Sequence, residues 1–147
     1  MKNYNNIIKI ETKEKHDFND ITDKVKEFLK ESKIKNGIIN LQSLHTTAAL
    51  VVNEKEPLLI KDMKRHLELL SPESLSYQHD NFEIRTVNMC EDECANGHSH
   101  CKSLNLPVNI SLNVIGNKLQ LGQWQRIFLI ELDRKRPRKV QVQIIGE

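Results

Sequence analysis

Hydrophobic positions recur along the chain at two different periods, and the changes of period predict the order of the elements. In Ile8–Ile10 the apolar side chains alternate across a lysine, as they do in a strand. From Ile21 to Leu29 they stand three and four positions apart, which is the spacing of a helix. Asn19 or Asp20 is a suitable N-cap for this helix, and Asn36-Gly37 is a suitable stop.

The middle of the chain combines two strand patterns with a second helix. Gly37–Leu44 alternates apolar and polar residues, whereas Ala48–Val52 is a continuous apolar run that predicts a strand buried on both faces. The residues between them, Ser43–Thr47, are largely polar where a core is expected, and such local departures tend to mark function. Pro57–Leu70 is predicted to form a helix with proline in its first turn, ended by Ser71-Pro72.

The last third of the chain has the clearest strand pattern. Val108–Val114 alternates strictly and ends at the turn Gly116-Asn117. Further apolar stretches within Leu119–Leu132 and Val140–Ile144 predict that the strands continue as an antiparallel meander. Because strands dominate and about two helices interrupt them, the predicted fold class is α+β, an antiparallel β-sandwich forming a single domain over residues 1–147.

Length and composition exclude several classes of protein. A chain of 147 residues is long enough for one core, and no run approaches the ~20 apolar residues of a membrane span. No secretory signal pattern opens the chain, so we expect a cytoplasmic protein without a membrane partner. The net charge of +2 and the aromatic fraction of 5% argue against nucleic acid as a partner. The one concentrated basic run, Arg134–Lys139, is either a solvated turn or a contact for phosphate groups.

The densest group of candidate ligands lies in the irregular stretch before residue 105, in the pattern Cys90-x3-Cys94-x3-His98-x-His100-Cys101. A structural zinc site is one interpretation of this pattern. Its spacing matches no closed pair of knuckles, so incidental thiols are the alternative. An odd number of cysteines in a chain without a signal pattern argues against a disulfide framework.

Several histidines lie in segments that are far apart in the sequence. His45 follows one predicted strand and precedes another, His79 stands beside Asp80, and His100 follows a turn that leads into a short predicted helix. Neutral imidazoles that converge from separate segments commonly hold a transition metal with an open coordination position. His45 by itself is also consistent with a hydrogen-bonded core residue, and we expect His16 and His66 on solvated surfaces.

Five motifs together resemble the YjbQ family over essentially the whole chain. Two are His45-Thr46-Thr47-Ala48-Ala49-Leu50 with Asn53-Glu54, and Asn96-Gly97-His98-Ser99-His100; the others are Leu121-Gly122-Gln123-Trp124-Gln125, Ile127-Phe128 and Arg136-Pro137-Arg138-Lys139-Val140. The resemblance implies a small α+β sandwich that assembles as a homotrimer, with polar motifs near the subunit boundaries. The family is associated with a weak thiamine-phosphate synthase activity, which does not define the physiological reaction.

The resemblance also implies a set of site residues. Its motifs carry over to His45, His79 and His100 as ligands of a divalent metal ion, and they favour His100 over His98. The cysteines are outside the family signature, which weakens the structural zinc interpretation. The chain has Asp133-Arg134-Lys135-Arg136-Pro137-Arg138 where the family usually has Asp-Gly-Pro-Arg-Ser-Arg, so the two arginines remain while the turn chemistry differs.

The leading hypothesis is a metal-dependent enzyme that acts on a phosphorylated small molecule. Three imidazoles suit zinc or manganese better than magnesium, which prefers oxygen ligands. For a synthase reaction, the metal and basic side chains would stabilise a departing pyrophosphate. The residues assigned to substrate binding are Thr46, Thr47, Asn96, Gly97, Trp124, Arg136 and Arg138, and those assigned as base or orienting partner are Glu54 and Asp80. The alternatives are a metal-dependent phosphohydrolase and a non-catalytic trimer that binds a metabolite or anion.

Overall fold

The computed structural model describes all residues from Met1 to Glu147, which form eight strands and three α-helices. In chain order the elements are β1 (Lys2–Glu11), β2 (Phe18–Asp20), α1 (Thr22–Ser32), β3 (Gly37–Ser43), β4 (Ala48–Glu54), α2 (Pro57–Leu70), α3 (Gly97–Ser103), β5 (Asn109–Ile115), β6 (Lys118–Leu119), β7 (Gln125–Glu131) and β8 (Pro137–Gly146). A single 3-10 turn, Gln78–Asp80, precedes α3. None of the helices has both the length and the apolar character needed to cross a membrane.

The strands form two antiparallel sheets, which confirms the predicted fold class. The larger sheet has the order β1-β8-β3-β5-β6 and the smaller one the order β2-β7-β4. The predicted meander is wrong beyond the β5-β6 hairpin, because β7 crosses to the smaller sheet and β8 returns between β1 and β3. The reason is burial: Ile127–Glu131 of β7 is buried at every position, as a central strand covered on both faces requires.

Two hydrophobic clusters lie on opposite faces of the smaller sheet. The larger cluster contains 16 buried residues and fills the space between the two sheets and α1, which contributes Val25, Phe28 and Leu29. The smaller cluster joins Phe128 and other β7 residues to Leu67 of α2. The smaller sheet is therefore an internal layer, and the loops at its ends emerge between packed elements.

Local polar contacts fix where the two long helices begin. The Glu56 side chain accepts hydrogen bonds from the backbone N–H groups of Leu58 and Leu59, beside Pro57 in the first turn of α2. At α1 the N-cap is Ile21, without a side-chain cap, one residue after the predicted Asp20. Asp20 still contributes, because its Oδ1 accepts from the Thr22 N–H at 3.1 Å.

Candidate functional site

The β3–β4 and β7–β8 loops meet at one end of the two sheets. The strand register brings them together, since Ser43 pairs with Val140 and Ala48 pairs with Glu131. A cavity of about 550 Å³ opens between them, and its lining residues are Leu44, His45, Thr46, Thr47, Asp92, Arg134, Lys135, Arg136, Pro137 and Arg138. We call it the basic cavity, because four basic side chains and one carboxylate line it.

The exposed cations of the basic cavity are arranged around a buried carboxylate. Asp133 Oδ2 accepts from Arg134 Nη1 at 3.1 Å and from Arg136 Nη1 at 3.2 Å. Both arginine side chains remain about one-third exposed, and Lys135 has no ion pair. Arg134 Nη2 also donates to the Asp92 carbonyl at 3.3 Å, whereas the remaining N–H groups of Arg136 can point toward a phosphate, so the cavity suits an anionic ligand.

Arg138 lies at the floor of the basic cavity, and it donates its hydrogen bonds to other residues of the protein. Its Nε donates to Glu131 Oε2 at 2.7 Å and its Nη2 donates to the Thr47 hydroxyl at 2.9 Å. Arg138, Glu131 and Thr47 are all buried. Arg138 and Thr47, which the sequence assigned to substrate binding, are thus engaged with each other, whereas Thr46 is exposed in the cavity.

A backbone contact fixes the hydrogen-bonding role of His45. The backbone N–H of Lys139 donates to His45 Nε2 at 2.8 Å, so the neutral ring carries its proton on Nδ1. Burial lowers the pKa of His45 from its ordinary value, and the Arg138 charge lowers it further. His45 therefore offers a neutral N–H donor at the edge of the basic cavity.

A second cavity of about 450 Å³ continues from His45 and Thr46 to His100. Cys101, Leu104 and Val108 give it an apolar wall. His45 and His100, which are far apart in the sequence, thus line the same space. The second cavity therefore offers space for the less polar part of a ligand next to the basic cavity.

His79 and His100 are in direct contact. Their ring centroids are 4.7 Å apart in an edge-to-face arrangement, and the buried His79 Nε2 has no hydrogen-bond partner. Burial lowers the pKa of His100, with a smaller contribution from His79. Two of the three predicted metal ligands therefore meet.

The third predicted ligand, His45, does not complete a metal site within this chain. The lone pair of its Nε2 accepts the Lys139 N–H, and Nδ1 then carries the proton. No group of three or more His, Cys, Asp or Glu side chains converges anywhere in the structure as metal ligands require. The donor set does not fit a three-imidazole centre, so no chemical step is assigned to a metal, and the expected divalent ion stays a prediction.

The residues around the start of α3 are held by internal contacts. Asp80 Oδ1 accepts from the backbone N–H groups of Asn96 at 2.8 Å and Gly97 at 2.9 Å. The sequence assigned these two residues to substrate binding, but their N–H groups bind a carboxylate of the protein instead. A side chain at position 97 would place its Cβ 2.5 Å from Tyr77 Cβ, which explains the glycine. Asp80 acts here as a cap, and the Asn96 side chain donates to Asp133.

Glu54 and Trp124 lie away from this region. Glu54 ends β4 and pairs with Gln125, at the opposite end of the strand from the His45 loop, about 20 Å away at ~3.3 Å per residue. Trp124 is 65% exposed and lines neither cavity. The structure therefore does not bring these two predicted site residues to the histidines of the same chain. Cys90 and Cys94 are exposed free thiols.

The sequence did not identify the roles of two buried acids, Glu131 and Asp133. Glu131 follows four consecutive apolar residues, Ile127–Ile130, and a carboxylate inside such a strand needs a buried partner; this was an available signal. Asp133 gave no such signal, because its partners depend on how the loop folds. Both acids determine where the arginines of the basic cavity point.

A second group of buried charges lies beside α2 and α3. Lys102 is fully buried, with Nζ 3.2 Å from Glu68 Oε2 and 3.0 Å from His98 Nδ1. His16, which the sequence placed on the surface, is buried in the same group at φ 58°. Burial lowers its pKa to about 4, with help from the Lys102 charge. A weakly periodic sequence cannot reveal contacts of this kind.

Comparison with known proteins gives consistent results. The model of the family described as UPF0047 protein YjbQ-like matches residues 6–147. A UPF0047 protein of Methanothermobacter thermautotrophicus is 33% identical over 147 residues, which is 100% of this chain and 95% of that protein. The crystal structure of a YbjQ-like protein of unknown function from Sulfolobus solfataricus has a TM-score of 0.88 at 34% identity, covering 99% of both chains.

A second solved structure has a similar fold. It is an uncharacterized conserved protein of the YjbQ/UPF0047 family from Clostridium acetobutylicum, with a TM-score of 0.83 at 30% identity, covering 95% of this chain and 99% of that one. The family match over residues 6–147 includes both loops of the basic cavity.

Proposed function

The chain belongs to the YjbQ-like UPF0047 family, and from that membership and the geometry of its loops we propose that it binds and acts on a phosphorylated small molecule. The observation that carries the proposal is the basic cavity, where Arg134, Lys135 and Arg136 are accessible beside the His45 Nδ1–H donor. Accessible cations over a rigid, buried scaffold are what a phosphate site requires.

The contribution of each group follows from its contacts. Asp133 fixes one edge of Arg136, so this guanidinium neutralises phosphate oxygens without reorganising, while Arg134, which also donates to the Asp92 carbonyl, adds its charge. His45 donates from Nδ1, and the Thr46 hydroxyl lies next to it. The rest of the ligand extends into the second cavity, past His100.

Charge stabilisation of a departing phosphate or pyrophosphate is the chemistry that this arrangement supports best. A displacement at carbon needs neutralisation of the leaving group more than a protein nucleophile. The thiamine-phosphate synthase reaction is of this type, in which a thiazole nitrogen attacks the methylene carbon of a pyrimidine diphosphate. It is therefore our specific candidate, and hydrolysis of a phosphate ester is the rival.

The assay compares pyrophosphate release from the pyrimidine diphosphate with and without the thiazole phosphate. We expect release only when both are present, and a roughly 10²-fold lower rate in Arg136→Gln, since one charge-stabilising donor is lost. Lys118→Gln, an exposed change on β6, is the matched control. Release that does not need the thiazole partner would identify a hydrolase, and binding without any turnover would identify a non-catalytic binding protein.

A further inference from the structure

A smaller cavity of about 320 Å³ shares Arg134 and Lys135 with the basic cavity. Its wall also includes His98, together with Glu14, Lys15 and Glu73. The two cavities adjoin along the turn at residues 134–135, and the smaller cavity has no role in the proposed function.

The buried His98 presents a hydrogen-bond donor whose position is fixed. Lys102 Nζ lies 3.0 Å from His98 Nδ1, and a lysine can only donate, so Nδ1 accepts and the neutral ring carries its proton on Nε2. Ser99 Oγ is almost equidistant from the two ring nitrogens, at 3.4 and 3.5 Å, so it lies off the axis of the Nε2–H bond. The Ser99 proton goes to the Leu132 carbonyl at 2.7 Å.

A buried lysine with a partly exposed counter-ion holds this arrangement in place. Lys102 is fully buried, and its counter-ion Glu68 lies 3.2 Å away. Removing the Lys102 charge from water is costly, and a partner that is 37% exposed offsets only part of that cost. Its clearest effect is to hold the His98 ring in one tautomer and one orientation.

A carboxylate of the protein already lies near this donor. Glu73 Oε1 is 3.9 Å from His98 Nε2, beyond hydrogen-bond distance, and the Glu73 side chain is 55% exposed and also paired with Lys15. An exposed side chain on the segment after α2 can move away when another anion enters. Of the two cations common to both cavities, Lys135 has no ion pair to give up, whereas Arg134 is paired with Asp133.

We propose that the smaller cavity is a second anion site, in which His98 Nε2–H and Lys135 hold a carboxylate or phosphate group and Glu73 takes that place when no ligand is bound. The second site rests on the proposed function in one respect, namely that a single ligand with two anionic groups would occupy both cavities. Each site can be observed separately, because each contains its own histidine.

The experiment is a titration of protein labelled with ¹⁵N in the imidazole rings, followed by NMR. Inorganic phosphate and acetate are the two probes, and they distinguish a phosphate group from a carboxylate. We expect the Nε2–H tautomer for His98, and a saturable shift of its ring signals with at least one probe. His45 reports on the basic cavity in the same spectra.

Two acid-to-amide variants supply the matched comparison. Glu73→Gln should tighten the His98 response roughly five-fold, since it removes the carboxylate that lies 3.9 Å from His98 Nε2 and competes with the bound anion. Glu14→Gln should leave it unchanged, because Glu14 lines the same cavity and is paired with Lys64 at 2.6 Å, but only Glu73 lies within 4 Å of His98 Nε2. Lys135→Gln should weaken the response of both histidines.

Each outcome decides one of the two proposals. His45 signals that move while His98 signals stay fixed with both probes would overturn the second site and leave the proposed function standing. The opposite result would support the second site and count against the basic cavity. An equal response of the Glu73 and Glu14 variants would show that the effect is general electrostatics, which also overturns the site.

Discussion

At the scale of single residues, the Arg138–Glu131 pair supports the floor of the basic cavity. Both side chains are buried, and the Glu131 carboxylate also accepts from the Thr12 hydroxyl at 2.8 Å and from the Asp133 N–H at 2.9 Å. These bonds connect β1, β7 and β8 directly below the cations that face the ligand. A change here therefore affects stability and the shape of the cavity together.

Arg138→Met should lower the free energy of unfolding by about 3–5 kcal/mol, because it leaves the Glu131 carboxylate buried and unpaired. Urea denaturation followed by circular dichroism measures this change. The double variant Arg138→Met with Glu131→Leu removes both charges and should recover a large part of the loss. A single variant as stable as the wild type would contradict the role given to the pair.

His16 should make the protein less stable in mild acid. The folded state holds its pKa at about 4, while the unfolded chain has an ordinary value near 6.5. Between these values the unfolded state binds a proton that the folded state does not. His16 therefore leaves the free energy of unfolding unaffected above about pH 6.5 and lowers it progressively as the pH falls toward 4.

His16→Asn tests this, because asparagine tolerates the left-handed backbone at this position. Urea titrations at several pH values should give a slope between pH 6 and 5 that is smaller than in the wild type by up to ~1.4 kcal/mol per pH unit. His66→Asn, on the exposed face of α2, is the control. Equal slopes in both variants and the wild type would contradict the buried, neutral state of His16.

At the scale of elements, Asp80 joins the 3-10 turn to the start of α3. Its carboxylate accepts two backbone N–H groups that the short helix cannot pair by itself. This contact positions His100 next to His79, since the two rings come from the two elements that Asp80 connects. Because His100 lines the second cavity, the geometry of that cavity depends on the Asp80 cap of α3.

Asp80→Ala should destabilise α3 locally by about 1–2 kcal/mol, the usual effect of losing a cap. Hydrogen exchange of the α3 amides is the direct measurement, with Asp92→Ala as an exposed control in the same region. Unchanged exchange in Asp80→Ala would show that the helix is held by other contacts.

Elements were easier to predict than the contacts between them. The alternation in Val108–Val114 and the helix spacing in Ile21–Leu29 appear in the structure as β5 and α1, because each depends on local burial. The crossing of β7 into the smaller sheet was not predictable, since periodicity does not say which strands are neighbours. For the same reason the sequence could not place Arg136 or Arg138 relative to His45, and the Lys102 cluster was missed.

At the scale of the whole molecule, the predicted homotrimer bears on residues that one chain leaves apart. Glu54 and the exposed Trp124 lie at the end of β4 and β7 that is remote from the histidines. Light scattering of the untagged protein should give three times the mass of one chain. A monomer at micromolar concentration would contradict the prediction and would leave these two residues without a place in the site.

The divalent metal ion also stays a prediction that the whole protein can test. Elemental analysis of untagged protein measures it directly, and the prediction of zinc or manganese requires about one ion per chain, lost in His100→Ala. Because the Lys139 N–H occupies His45 Nε2, His45→Ala should then leave the metal content unchanged. A loss of metal in both variants would show that His45 abandons this hydrogen bond.

The central claim is that the basic cavity binds a phosphate group, and calorimetric titration with inorganic phosphate tests it most directly. We predict saturable binding to the wild type and to Lys118→Gln, and at least ten-fold weaker binding to Arg136→Gln, because about 1.4 kcal/mol of a charge-assisted contact corresponds to a factor of ten. Equal affinities of the three proteins, or no binding to the wild type, would contradict it.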